Sequence, residues 1–524
     1  MVVDTKKLWA SRFKKETAEV GIQYSESITV DRHMVHQDIW GSQAHTIMLG
    51  YTGIVAEDHV RKILGALKKV DHQFSNKEWD LQLKDEDVHM NVERFVIDET
   101  GMDSGGRMHT CRSRNDQVVL DTKLYARDQL LNVQIDLAEF INTFLSLAPD
   151  HVETIMPGYT HTQHAQPMTF AYWLTHYAAI FMRDLERLKQ AYDVTNTNPL
   201  GAGALTGTSF PINRYLTTYL LGFADVQAHC LDAVTARDFT LQILSSLATL
   251  FSTLSRLAEE IIYGISYEYR TMVLDDSFAM GSSMMPQKKN PGVLELARAR
   301  AGKMYGILMS MLTMLKGLPS GYNRDYHEDK VNLVDALTLT SDTLRVMNSV
   351  MKTLTVNKAR LAELAEKNFA SATELANYLV REHNVPFRLC HRVVGYVVGQ
   401  LVEEGKNFSD YKRTKELLAE KDINLSESQI KQLLHPSDVV HGNTSLGGTA
   451  PTEVKKLLTS MEKELTSHKS RIEKSASLLM QRKQETNAIA DRIIAGESVL
   501  RVVDSTIKIK AVLGQDMKQQ CEVV

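Results

Sequence analysis

Cysteine is scarce, with only Cys111, Cys230, Cys390 and Cys521 among 524 residues, and no two of them form a CxxC pair. That spacing disfavours the common zinc frameworks and gives no basis for a disulfide scaffold. Long apolar runs are missing as well, since no stretch approaches the roughly 20 residues that a membrane span needs. Met1 to Lys15 holds Lys6, Lys7, Arg12, Lys14 and Lys15 without an apolar core. No secretory signal is therefore expected, and a soluble, cytoplasmic setting is. Charge of one sign is lacking too: a formal net charge of −4 argues against a general nucleic-acid or polyanion binder. No glycine-rich phosphate loop follows a strand pattern, and βαβ alternation is absent. What is present is a 43% hydrophobic chain, ample for a real core, long enough for about three domains.

Helical periodicity dominates that chain. Between Asp121 and Leu147, Leu124, Leu131, Ala138 and Leu145 recur at heptad spacing, shadowed by Leu130, Leu137 and Phe144. From Phe239 to Ile262 the series Ile243, Leu247, Leu250, Leu254, Leu257, Ile261 alternates steps of four and three. Such a seam belongs to helices lying nearly parallel to one another. A Met-rich helix is expected from Val293 to Lys316, with small residues at Ala297, Ala301, Gly302 and Gly306 that permit close approach. Further helices are expected over Phe170–Thr195 and Val331–Thr355. Helices apolar on more than one side need more partners than one chain readily supplies, which predicts a core bundle shared between subunits. The expectation is an all-α fold in segments 1–115, 116–365 (the long-helix bundle) and 366–452. A charged helical extension, 453–524, carries Val454, Leu457, Leu458, Met461, Leu465 and Ile472 and is expected to be mostly solvated.

Polar chemistry concentrates where the helical rhythm breaks. Gly281-Ser282-Ser283-Met284-Met285-Pro286-Gln287-Lys288-Lys289-Asn290-Pro291 packs hydroxyls, ammonium groups and an amide between a glycine and two prolines. Those groups suit the holding of a carboxylate and the exchange of a proton. As a plain helix cap, with Asn290 at N-cap and Pro291 at N1, the segment would leave most of them idle. In His109-Thr110-Cys111-Arg112-Ser113-Arg114-Asn115-Asp116-Gln117, Ser113 and Asn115 are capping candidates and Asp116 suits a positive helix start. Arg112 and Arg114 are not explained by capping and predict an anion between them. Pro157-Gly158-Tyr159-Thr160-His161-Thr162-Gln163-His164-Ala165-Gln166-Pro167 sets histidines among hydroxyls. That environment fits either proton transfer or a satisfied hydrogen-bond network, and metal-ligand spacing is weak there. Gly321 to Lys330 forms a fourth cluster, with Tyr322, His327 and Lys330.

In order and in content these motifs resemble the argininosuccinate lyase family of the fumarase/aspartase superfamily. The carriers are Ser113 to Gln117, Gly158-Tyr159-Thr160-His161 through Gln166-Pro167, and the Gly281–Pro291 loop, whose Gln287-Lys288-Lys289-Asn290-Pro291 is that family's version. Lys7-Leu8-Trp9, Arg12-Phe13, Glu86-Asp87-Val88-His89 and Arg237-Asp238-Phe239 add to the likeness, which spans about residues 6 to 452. The resemblance implies a homotetramer with a twenty-helix core, and active sites each built from three subunits. It implies elimination of fumarate from argininosuccinate, releasing arginine, without metal or organic cofactor. Ser113, Asn115, Thr160, Lys288 and Asn290, with Arg114 beside them, are expected to hold the succinyl half. Ser27, Asp87, Tyr322, His327 and Lys330 are expected to meet the arginine end. His161 and Ser282 are the expected acid–base pair, with either residue able to serve as the base. Departures from the family pattern are His327 where glutamine is usual, Cys111 for a glycine, Ala10-Ser11 for two glycines, and the tail beyond Thr452. His327 and the tail keep open a sister C–N lyase acting on another N-substituted aspartate, such as an aminopolycarboxylate. A structural, crystallin-like relative without turnover is the third reading, and intact His161, Ser282, Lys288 and Asn290 argue against it.

Overall fold

A computed structural model of the chain describes residues 18–507, so Lys7-Leu8-Trp9, Arg12-Phe13, Ala10-Ser11 and Cys521 lie outside the described residues. The expected helical fold is what is found, with only short two-stranded sheets between helices. An N-terminal helix α1 (Val35–Tyr51) is buried on almost every side and packs against Glu57–Ser75 and Val88–Thr100. The bundle follows: α2 (Arg114–Leu147), α3 (Phe170–Thr195), α4 (Asp238–Ile265), α5 (Gly292–Leu315) and α6 (His327–Thr353). Its core is continuous, running through Leu130, Leu137, Phe144, Phe181, Leu247, Leu254, Met304 and Met347. The predicted seams are therefore the residues buried, because a heptad keeps one stripe facing its neighbour. Helices between Ala372 and Leu434 form a small core of their own around Leu375, Val397 and Leu417.

The plain-cap alternative falls, and the reading of the tail is amended. Asn290 does not cap α5: the helix begins at Gly292 after Pro291, and no side-chain cap bond is made. Instead Asn290 pairs with Met280, N–H to O in both directions at 2.9 and 2.7 Å, which pinches the Gly281 loop shut at its base. Through residue 507 the tail is half exposed but keeps one buried stripe against the bundle. Helix α7 (Pro451–Ile494) runs 44 residues, about 66 Å at 1.5 Å per residue, along α2 and α3 to the N-terminal helices. Leu458, Leu465, Ile472, Leu479, Thr486 and Ile493 lie buried at heptad spacing. Thr486 is tolerated in that seam because its hydroxyl donates to the Leu220 carbonyl at 2.8 Å. After Gly496 the chain turns into α8 (Val499–Thr506), which packs on α1. Among the described residues no helix is long and apolar enough to cross a membrane.

Candidate active site in two halves

Seven of the expected site residues meet in one small cavity of about 80 Å³: Ser27, Asp87, Arg114, Asn115, Tyr322, His327 and Lys330. They come from four separate stretches held together by buried polar contacts. Ser113 N-caps α2 in a capping box with Asp116, whose second oxygen accepts from Gly201 N and Gly203 N at 3.0 and 2.9 Å. Burial raises Asp116 to about 6 despite those bonds. One carboxylate thus fixes the start of α2 to the 201–203 turn, and Asn115 completes the link through its amide to the Ala204 carbonyl at 3.1 Å. Asp87 caps Val88–Thr100, accepting from Met90 N at 2.9 Å, and takes a 2.6 Å ion pair from Arg114.

Below the cavity lies an ion pair that water scarcely reaches. Lys330 donates to Asp31, both side chains being 2% exposed, and Ser27 donates to the other Asp31 oxygen at 2.7 Å. Burial pushes Asp31 up, but the Lys330 ammonium and His89 outweigh it and hold the carboxyl below its usual range. Burial likewise lowers Lys330, and Asp31 more than restores it, so both partners stay charged. His327 is lowered to about 4 by burial and by the Lys330 and Arg324 charges, which makes it a neutral imidazole near neutral pH. Burial raises the neighbouring Tyr322 phenol.

The expected anion between the two arginines is not what Arg112 meets. Arg112 turns inward and donates to Ser42 Oγ at 2.9 Å, while Arg114 faces the cavity with Asp87. Around Arg112 sits a buried cluster of Asp38, His89 and Asp121. His89 Nδ1 lies 2.8 Å from Asp38 and 3.3 Å from Asp121, and Gln117 also donates to Asp38. Asp38 is held low: burial opposes this, but the bond from His89 and the Arg112 charge prevail. Burial and the Asp38 charge push Asp121 well up. His89 lines the cavity, as does Arg324, and neither was singled out from sequence. The only signal for His89 was its place in the Glu86–His89 motif. Arg237 and Asp329, a buried ion pair behind Tyr326, were equally hidden.

Thr160, His161, Ser282, Lys288 and Asn290 are elsewhere. His161 and Thr162 form the tip of a hairpin, β1 (Ile155–Thr160) with β2 (Gln163–Thr169), in which Thr160 pairs with Gln163. Both tip residues have left-handed φ, 55° and 58°, as a two-residue hairpin of the I′ kind requires. Asparagine and glycine adopt that conformation cheaply, whereas histidine and threonine do so at a cost, and such strain gathers at functional positions. The imidazole is thereby thrust into solvent. A larger groove beside the hairpin, about 860 Å³ and lined by Met156, Tyr159, Met168, Tyr172 and Tyr263, holds none of the expected site residues.

On the Gly281 loop, Ser282 Oγ accepts from Met285 N at 3.1 Å and more loosely from Met284 N at 3.4 Å. Lys289 is tied to the Leu274 carbonyl and to Asp276. Lys288 is exposed and makes no ion pair among the described residues. Helix α2, 34 residues or about 51 Å, separates Ser113 from the start of the hairpin. His161 lies six residues into that hairpin, a reach of roughly 20 Å, well short of the length of α2, so it stands far from the cavity. Gly321 N bonds Thr235 just ahead of α4, which puts the far end of α5 at the cavity. The 24-residue helix α5, about 36 Å long, therefore lies between the base of the Ser282 loop and the cavity.

A bundle of long helices with polar loops at both ends is the architecture of the fumarase-type lyases. The lyase family model matches residues 11–306, and the argininosuccinate lyase C-terminal model matches 369–441. Argininosuccinate lyase of Campylobacter curvus is 41% identical over 462 residues, covering 88% of this chain and 98% of that protein. The enzyme of Geobacillus kaustophilus is 42% identical over 458 residues, 86% of this chain and 98% of its own. Among solved structures, EDDS lyase in complex with formate superposes with a TM-score of 0.81 at 29% identity, over 89% of this chain and 93% of that one. A fumarate lyase from Mesorhizobium sp. BNC1, at 18% identity and TM-score 0.67 over 85% and 99%, shares the fold. The chain belongs to the argininosuccinate lyase family.

Proposed function

We propose that the protein cleaves argininosuccinate to arginine and fumarate in the cytoplasm, in a site completed by three subunits of a homotetramer. The observation that carries this reading is the distance between the cavity and the two exposed catalytic candidates. One chain holds the amine half-site at one end of the bundle and presents His161 and Ser282 at the other, so antiparallel copies bring the halves together. Helix α5 supplies the surface for such pairing. Gly302, Tyr305, Met309 and Leu312 follow steps of three, four and three, and the last three side chains are 45%, 61% and 44% exposed. An added Cβ at Gly302 or Gly306 meets nothing, so a neighbouring helix has room to approach closely.

In the assembled site Asp87, His327, Tyr322 and Lys330 receive the arginine end, and Ser113, Asn115, Thr160, Lys288 and Asn290 hold the succinyl carboxylates. One of Ser282 and His161 takes the proton from the carbon beside a carboxylate, and the other protonates the departing guanidino nitrogen. The dianionic aci-carboxylate formed between those steps needs preorganised donors, which Lys288 and the amides around it supply. Purified protein given argininosuccinate will release fumarate, followed by ultraviolet absorbance, with arginine in equal amount; absence of both from folded protein refutes the assignment.

A second reading, a lyase releasing fumarate from another N-substituted aspartate, has His327 and the likeness to EDDS lyase in its favour. Running the reaction in reverse, with fumarate and a panel of amines, separates the two readings by which amine is consumed fastest.

A further inference from the structure

We infer that the C-terminal segment 451–507 is a strap that positions the amine half-site, acting through α1 on His89. The matched argininosuccinate lyase C-terminal model ends at residue 441, ahead of this strap. Helix α7 reaches the N-terminal helices, where Lys68 pairs with Asp491. There α8 is locked in place. Val499, Val502 and Val503 are fully buried in one cluster with Trp40, Ile47 and Val60. Glu57 lies at the start of α8, accepting from Ser498 Oγ at 2.8 Å and Val499 N at 2.9 Å. A carboxylate there also meets the positive end of the helix. Gly50 allows the approach, because a Cβ at that position would come within 3.2 Å of Val499.

Helix α1 carries the strap on one side and the cavity floor on the other. Ile47 faces α8, whereas Asp38, Ser42 and His45 lie about 140–180° round the helix from it at about 100° per residue. Asp38 holds His89 Nδ1, Ser42 holds Arg112, and His45 holds the Thr110 carbonyl at 2.9 Å. The orientation of His89 in the cavity, and of the loop leading to Arg114, is thus set by a helix pinned from behind. His89 is the residue of this chain of contacts that lines the cavity, and the strap acts on it through two packed layers.

The inference rests on the proposed lyase function, and its test separates the two. The full chain, a chain ending at Gly496, and full-length Val502→Ala/Val503→Ala would be compared as folded oligomers of equal size. In the reverse reaction both variants should raise KM for the amine on the order of ten-fold while KM for fumarate stays within about two-fold. Hydrogen exchange should quicken in 35–51 and 88–100 but not in β1 and β2. Both KM values moving together, or neither moving while exchange stays the same, overturns the proposal. If the wild-type chain turns over no substrate, the lyase reading fails by itself, and exchange at 88–100 alone decides the strap: faster supports it, unchanged refutes it. The double variant keeps the test decisive should the shortened chain fail to fold.

Discussion

The two halves of the site are built by opposite means. At the cavity five functional side chains are held by hydrogen bonds or ion pairs: Asp87 and Arg114 by each other, Ser27 and Lys330 by Asp31, and Asn115 by the Ala204 carbonyl. At the other end His161 and Lys288 stand in solvent, and Ser282 is held only by amides of its own loop. On the proposed reading, recognition of the amine is preorganised within one chain, whereas the chemistry is offered outward and would acquire its surroundings from other subunits.

The sharpest way to break that contrast is at the hairpin tip. His161→Asn should cut kcat by roughly 10²–10⁴, the usual worth of a positioned acid or base, with the melting temperature equal or slightly higher, because the ring is exposed and asparagine suits the left-handed backbone. Ser282→Ala should behave alike. Mixed assemblies of the two variants should regain part of the activity, and no recovery in demonstrably mixed tetramers would count against a shared site.

At the cavity the ordering of effects reverses. Lys330→Met strands Asp31 as a buried, unpaired charge and should cost about 3–5 kcal/mol of stability in urea unfolding, besides weakening binding. A melting point equal to wild type would show that the floor is less rigid than its burial implies.

A third test uses pH. Burial and the Arg112 charge lower His45 to about 3, so the folded state binds fewer protons than the unfolded one below pH 6.5. Its contribution to stability is complete above pH 6.5 and is lost as pH falls toward 3, by about 1.4 kcal/mol per unit. Asp116, raised to about 6, runs the other way between pH 4 and 6. The difference between wild type and His45→Gln isolates the histidine: the variant should lose less stability on going from pH 6.5 to 5. Smallest of all, Lys469→Ala removes an exposed 2.7 Å pair with Glu139 and should cost under about 1 kcal/mol.

Much of the fold was legible because burial along a helix writes itself at heptad spacing, as in Leu124 to Leu145 or Ile243 to Ile261. The tail carried the same signature from Leu458 onward, but periodicity names a stripe and not the surface that covers it. The hairpin was hidden for a different reason. His161-Thr162 uses left-handed residues without glycine or asparagine, so no turn signal marks it. His89, Asp38 and Asp121 come from three distant stretches, and only packing reveals that they share a proton network. Their charge pattern in the sequence looks like ordinary polar helix surface.

The strap also has a consequence for how the protein is made. The apolar side of α1 that receives Val499 and Val502 leaves the ribosome some 450 residues before its cover does. At 5–20 residues per second that face waits roughly twenty seconds to a minute and a half. Through that interval the N-terminal helices are a client for chaperones, and a message cut short before α8 releases a chain with its front door open.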